Sequence, residues 1–167
     1  MINQLVNCCF SDFFAMEKRC GPCRYFTPQL KRFYHEVNNA SGCTHTPTTD
    51  GSKYNNHVEV IFVSFDKTMS SFHQYYSTMP WLSIPIPTNS RQTAQNKNFI
   101  QHLSSSFWVN SIPTLVVLTN DGLFVTNNAK ADISNLMSSG GSPHLLLDSW
   151  KNIQPVPIDK AYLGVIP

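Results

Sequence analysis

Cys20-Gly21-Pro22-Cys23-Arg24-Tyr25-Phe26-Thr27-Pro28-Gln29-Leu30-Lys31-Arg32-Phe33-Tyr34-His35-Glu36-Val37 is the stretch that decides the fold. Within it Cys23, Phe26, Leu30, Phe33 and Val37 recur at three- and four-residue steps. That spacing predicts an amphipathic helix over 21–37 with one buried stripe. Pro22 suits the first turn, where a missing N–H leaves no bond unmade. Pro28 falls inside the pattern and is expected to kink the helix. Upstream, Leu5, Val6, Cys8, Cys9, Phe10, Phe13 and Phe14 form an apolar run without helical spacing, which predicts a buried strand. Met16 to Arg19 is then expected to be a polar loop. Two cysteines thus straddle the opening of a helix that follows a strand.

That placement has a chemical consequence. A helix start presents free N–H groups and a partial positive charge. A thiol there ionises more readily, with a pKa that falls to roughly 3.5–7.5 in such motifs. Arg19 and Arg24 would add to the effect. Cys20 is the expected nucleophile toward a disulfide, and Cys23, one turn inward, the thiol that resolves the mixed disulfide. Pro22 stiffens the turn and Gly21 allows close approach of substrate. Two alternatives stand beside this reading: a zinc pair and a pair without function. Zinc needs a second ligand pair at regular spacing, and Cys8, Cys9, Cys43 and the scattered histidines offer none. No metal site is therefore expected.

Composition narrows the class. The chain has 167 residues, suited to one domain. Charged residues make up 13% and net charge is +2, too little for an electrostatic footprint on nucleic acid or membrane. The 15 Asn and 18 Ser replace the missing charges, while 12% aromatics argue against disorder. No apolar run approaches the ~20 residues of a membrane span. The first ten residues lack a basic segment and a long apolar run, so no signal peptide is expected. Five cysteines, an odd number, speak against a disulfide-stapled secreted scaffold. A cytoplasmic location follows as the expectation, with the nucleus as a second compartment.

Downstream, residues 38–57 read as a polar surface insert holding Cys43 and His45. Val58 to Phe65 is β-branched and aromatic, a central strand buried on both faces. A second helix is expected over 70–79, a proline-broken extended segment over 81–87, and a third helix over 91–107. Ser111-Ile112-Pro113-Thr114 opens a strand over 115–118, since proline is tolerated at a strand's mouth. Asn120-Asp121-Gly122 signals a hairpin into a strand over 123–126. A closing helix is expected over 143–154, and an extended tail over 155–167. The order β–α–β–α–α–β–β–α implies parallel crossovers early and an antiparallel edge late.

These residues resemble the thioredoxin-like superfamily, and within it the tryparedoxin and nucleoredoxin branch, including the nucleoredoxin-like rod-derived cone viability factors. The resemblance rests on Cys20 to Leu30 with Phe33-Tyr34, Val60 to Asp66, Tyr75-Tyr76, Met79-Pro80-Trp81-Leu82, and Ser111 to Val116, in order over about 20–135. It implies an α/β fold: a thioredoxin-like three-layer sandwich with a mixed sheet, as a single domain over 1–154. It implies a cis Pro113 facing the cysteine pair, with the Ile112 backbone holding an extended substrate strand. It also implies a thiol–disulfide oxidoreductase acting on protein disulfides, peroxiredoxins among them. Its electrons would come from a low-molecular-weight thiol or an upstream reductase, without a dissociable cofactor.

Departures from the branch are informative. Arg19 stands where the branch has Trp, and Met16-Glu17-Lys18 lengthens the loop before the pair. The chain ahead of the pair is short, so the fold is expected to be trimmed at its N-terminal edge or the product to be incomplete. These features motivate an alternative, a thioredoxin-fold binding or signalling module with little turnover. Asp66 ends the central strand as either a site-tuning acid or a strand-end cap. Trp81 reads as core or site wall. Asp12 is a candidate proton acceptor for Cys23, with a solvated loop position as the alternative.

Overall fold

The computed structural model describes residues 10–39, 57–84 and 90–161. Cys8, Cys9, Cys43 and His45, and most of the polar insert, lie outside the described residues. The elements run β1 (Phe10–Met16), α1 (Gly21–Asn39), β2 (Val58–Ser64), α2 (Met69–Tyr76), β3 (Leu82–Ser83), α3 (Ser90–Ser106), β4 (Thr114–Leu118), β5 (Phe124–Thr126), α4 (Ala129–Ser139), α5 (Pro143–Lys151) and α6 (Ile158–Ala161). They form one mixed five-stranded sheet in the order β3-β2-β1-β4-β5. β1, β2 and β3 are parallel, while β4 runs antiparallel to β1 and β5 to β4.

Side chains on the central strands alternate between two cores, as the period of two requires. Val58, Val60 and Phe62 of β2, with Leu115 and Val117 of β4, face one cluster with α1, α2, α4 and α5. Val63, Val116 and Phe124 face the other, with Phe107, Ile100 and Leu103 from the α3 region. The sheet is thus the middle of three layers. Burial on both faces explains why the β2 sequence is nearly continuous in apolar residues. Phe62 stacks on Phe72, with centroids 5.9 Å apart and planes 3° from parallel.

Several sequence expectations are corrected. Met16 is not a loop residue: it is the last residue of β1 and fully buried. α1 runs through Pro28 as one 19-residue helix, although proline deprives the Arg24 carbonyl of its usual donor. Within the extended segment expected over 81–87, Leu82–Ser83 form the edge strand β3, and residues 85–87 lie outside the described residues. Helix α4 was not expected at all. The tail is not simply extended, because Val156 bridges Phe124 in antiparallel fashion and α6 follows. β1 begins at the first described residue, so Leu5, Val6, Cys8 and Cys9 of the expected strand lie outside the described residues.

Of the three left-handed residues among those described, Trp108, Gly122 and Gly140, the first two shape the connections around β4. Gly122, at φ 81°, closes the β4–β5 turn, with its N–H donating to the Thr119 carbonyl at 2.9 Å. Trp108, at φ 52°, ends α3: its N–H donates to Ser105 O (3.4 Å) and that of Val109 to Ser104 O (2.8 Å). This is the Schellman pattern, usually built on glycine. Here a tryptophan adopts it, and its ring packs edge-on against Phe124 at 5.7 Å. The chain then turns directly into the Ile112-Pro113 loop.

Candidate active site

The site forms where the β1–α1 junction meets the β4 entrance. Cys20 precedes the first residue of α1 and Cys23 lies in its first turn, and their sulfurs are joined in a disulfide with Cα atoms 5.2 Å apart. Cys20 Sγ accepts the Cys23 N–H at 3.2 Å, while the Arg24 N–H donates to the Cys20 carbonyl at 3.2 Å. Cys20 therefore fills the N-cap place, its sulfur standing where a capping oxygen would accept an N–H of the first turn. The two sulfurs differ in access, since Cys20 is half-buried and Cys23 fully buried.

The Ile112–Pro113 peptide is cis. The Ile112 carbonyl oxygen lies 3.8 Å from Cys20 Sγ, across 92 residues of sequence. Pro113 is buried and Ile112 half-buried, and Thr114 Oγ1 closes the loop by donating to Ser111 O at 2.6 Å. A Cβ at Gly21 would meet nothing within 4 Å, and Gly21 and Pro22 are both exposed. The face over the disulfide is open.

Asp66 is tied to the turn before Cys20 through the backbone. Its carboxylate accepts the Lys18 N–H at 3.1 Å and the Ser64 hydroxyl at 3.0 Å, and its own N–H donates to Ser64 Oγ at 3.0 Å. Phe65 N–H adds a bond to the Met16 carbonyl at 2.8 Å. The turn that delivers Cys20 is thereby fastened to the end of β2. Lys18 Nζ also donates to Gln74 on α2. Arg19 is exposed at the end of that turn, where the Cys20 N–H donates to Glu17 O at 3.1 Å.

Trp81 takes the core position of its two readings. Its ring packs edge-on against Tyr34 at 5.8 Å. Tyr34 lies about 16 Å beyond Cys23 along α1, at ~1.5 Å per residue, so Trp81 is not brought to the disulfide. Asp12 pairs in register with Val60 and Val117 in the middle of the sheet, not in a loop; its side chain lies outside what the structure describes.

Sequence reasoning missed the groups behind Cys23. Thr27 Oγ1 donates to the Cys23 carbonyl at 2.9 Å and lies 2.7 Å from the Tyr75 hydroxyl. Both hydroxyls contact Met16 Sδ, at 3.5 and 3.4 Å. Burial raises the Tyr75 phenol above its usual range; the Thr27 hydrogen bond opposes this, Asp66 adds to it and Arg24 opposes it. The available signal was a threonine one turn beyond Cys23 on the buried side of α1. Among the described residues, no group of three or more His, Cys, Asp or Glu is placed to hold a metal ion.

A disulfide capping a helix, faced by a cis-proline loop on a mixed sheet, defines a thioredoxin-like protein. The thioredoxin-like family model matches residues 12–124, and the chain belongs to that family. Among curated proteins it is 32% identical over 115 residues to tryparedoxin of Trypanosoma brucei brucei, covering 68% of this chain and 64% of that one. It is 32% identical over 124 residues to nucleoredoxin of Bos taurus, covering 74% of this chain and 23% of that one. The chain thus spans less than a quarter of that nucleoredoxin. Of solved structures, tryparedoxin I from Leishmania major superposes with a TM-score of 0.59 at 30% identity, covering 80% of this chain and 77% of that one. Tryparedoxin II complexed with glutathionylspermidine gives 0.59 at 26%, covering 78% and 76%. Among the described residues, no helix is long and apolar enough to cross a membrane.

Proposed function

We propose that the chain is a thiol–disulfide oxidoreductase that reduces protein disulfides through Cys20 and Cys23. The observation that carries this reading is the unequal access of the two capping-turn sulfurs, Cys20 half-buried and Cys23 fully buried. In the reduced protein the Cys20 thiolate attacks one sulfur of a substrate disulfide. A Cys20–substrate disulfide forms and one substrate thiolate leaves. The Cys23 thiolate then attacks Cys20 Sγ, the intramolecular disulfide forms, and the second substrate thiolate leaves. Two electrons pass to the substrate, and the protein ends in the oxidised state seen here.

The Cys23 N–H that reaches Cys20 Sγ at 3.2 Å supports a thiolate at Cys20 in the reduced form, together with the helix dipole. Ile112 and Pro113 supply the platform for an extended substrate segment, and the open face over Gly21 and Pro22 leaves room for it. The dithiol carries both electrons, so no dissociable cofactor is required. Two donor thiols restore the reduced state. The relative complexed with glutathionylspermidine favours a low-molecular-weight thiol in that role, and peroxiredoxins fit as protein substrates. The cytoplasm, with the nucleus second, is the compartment where such a cycle stays reduced.

The test is turnover of a model protein disulfide under a constant supply of thiol, with single-cysteine variants alongside. Cys23→Ser should accumulate a mixed disulfide at Cys20, and Cys20→Ser should form none. A wild-type chain that binds the substrate but never releases a reduced product would instead establish a binding module.

A further inference from the structure

We infer that the surface around Cys20 selects disulfides flanked by acidic residues in an extended polypeptide. This inference rests on the oxidoreductase reading and narrows its substrate class. Six charged groups sit on the elements that frame the sulfur: Glu17, Lys18 and Arg19 in the turn before it, Arg24 after it, and Asp66 and Lys67 where β2 ends. The two acids do not cancel the four bases equally. The Asp66 carboxylate is turned inward, accepting the Lys18 N–H and the Ser64 hydroxyl. Arg19, Arg24 and Lys67 are all exposed, and among the described residues none of them forms an ion pair.

The opposite rim is uncharged. Its exposed part, Asn110 and Ser111 leading into Ile112 and Pro113, carries neither an acid nor a base. An extended segment lying against Ile112 therefore meets hydrogen-bonding backbone on one side and exposed cations on the other. Tyr25, next to Arg24 on α1, is 77% exposed and leaves an aromatic ring in solvent. Acidic residues beside the substrate cysteine would find partners there, and basic ones would be repelled. Exposed pairs are individually weak, so two or three acting together give about a tenfold preference.

The experiment uses pre-reduced protein and two peptide disulfides matched in length, one with Asp and one with Lys flanking the cysteine. Single-turnover reduction rates are compared as a ratio, which cancels any change in the intrinsic reactivity of Cys20. The acidic peptide should react about tenfold faster at low salt, and the ratio should fall toward unity at about 0.5 M salt as screening shortens the range of the charges. Arg19→Glu should remove or invert the preference. Lys97→Glu, the same charge change at an exposed site on α3 across the sheet, should leave the ratio in place. A low-salt ratio near unity, an unaltered ratio in Arg19→Glu, or an equal loss in Lys97→Glu would overturn the inference while leaving the reductase standing. Failure to reduce either peptide would sink both.

Discussion

Asn38 offers a sharp test of how the fold holds the site. Its side chain is fully buried at the end of α1. The amide Nδ2 donates to the Val58 carbonyl at 3.0 Å, and Oδ1 accepts the Val58 N–H at 3.2 Å. One side chain thus satisfies both backbone groups of the first residue of β2, which is itself fully buried. Asn38→Ala would strand a buried donor and a buried acceptor at ~1–3 kcal/mol each. Water entering the space would recover part of that, so the expected loss is about 3 kcal/mol. For a chain of this size each kcal/mol is worth about 2–4 °C, giving a fall in Tm of about 6–12 °C. Asn38→Asp keeps the acceptor but sets a carboxylate oxygen against the Val58 carbonyl, and should be no better. The assay is chemical denaturation with a constant m value, backed by calorimetry. Asn38 lies about 22 Å along α1 from Cys23, so the disulfide's potential at 25 °C should stay unchanged in the variant. A stability loss under about 0.5 kcal/mol would refute the reasoning, because Val58 would then have other partners.

Three further outcomes follow from named contacts. Burial, reinforced by the Glu59 carboxylate, pushes the Tyr34 phenol from 10.0 up to about 12. The folded state holds that proton more tightly than the unfolded chain, so the stabilisation is complete below pH ~10 and is lost as pH rises toward ~12. Tyr34→Phe should flatten this alkaline limb in a pH series of unfolding free energies. Trp150 Nε1–H donates to Asp132 Oδ2 at 3.0 Å and joins α5 to α4; Trp150→Phe should cost about 1.5–3 kcal/mol of unfolding free energy in denaturant titration, less if Asp132→Asn is added. Thr27→Val removes the hydroxyl shared with Cys23 O and Tyr75 and should cost about 1–2 kcal/mol in thermal unfolding, while Thr27→Ser should restore most of it.

Much of the fold was legible because its signals are local and strong. The α1 stripe names its buried face directly, and Cys23, Phe26, Leu30, Phe33 and Val37 are all buried. The run Val58 to Ser64 shows burial on both faces, which only a central strand requires. α4 escaped notice because its sequence, Ala-Lys-Ala-Asp-Ile-Ser-Asn-Leu-Met-Ser-Ser, is mostly small and polar, with only Ala129 and Ile133 buried. Its position is set by tertiary packing against α1 and α5, which periodicity in a short window does not reveal. Met16 was hidden by its charged neighbours Glu17-Lys18-Arg19.

The site divides in the same way. Cys20, Cys23 and Pro113 carry chemistry in their residue types, so the sequence points to them. Thr27, Tyr75 and Met16 come from three separate elements and meet only in the folded chain. Asp66 was visible as a polar residue ending an apolar strand, but its grip on the Lys18 N–H needed coordinates. Trp81 was ambiguous because an aromatic beside prolines looks the same in sequence whether it lines a site or fills a core.

The central claim is that Cys20 and Cys23 form a working dithiol. Equilibration in glutathione buffers, with free thiols trapped by alkylation, measures this directly. The account predicts a reversible two-electron transition between roughly −200 and −280 mV. A pair that stays reduced throughout, or one that shows no cooperative transition, would contradict it.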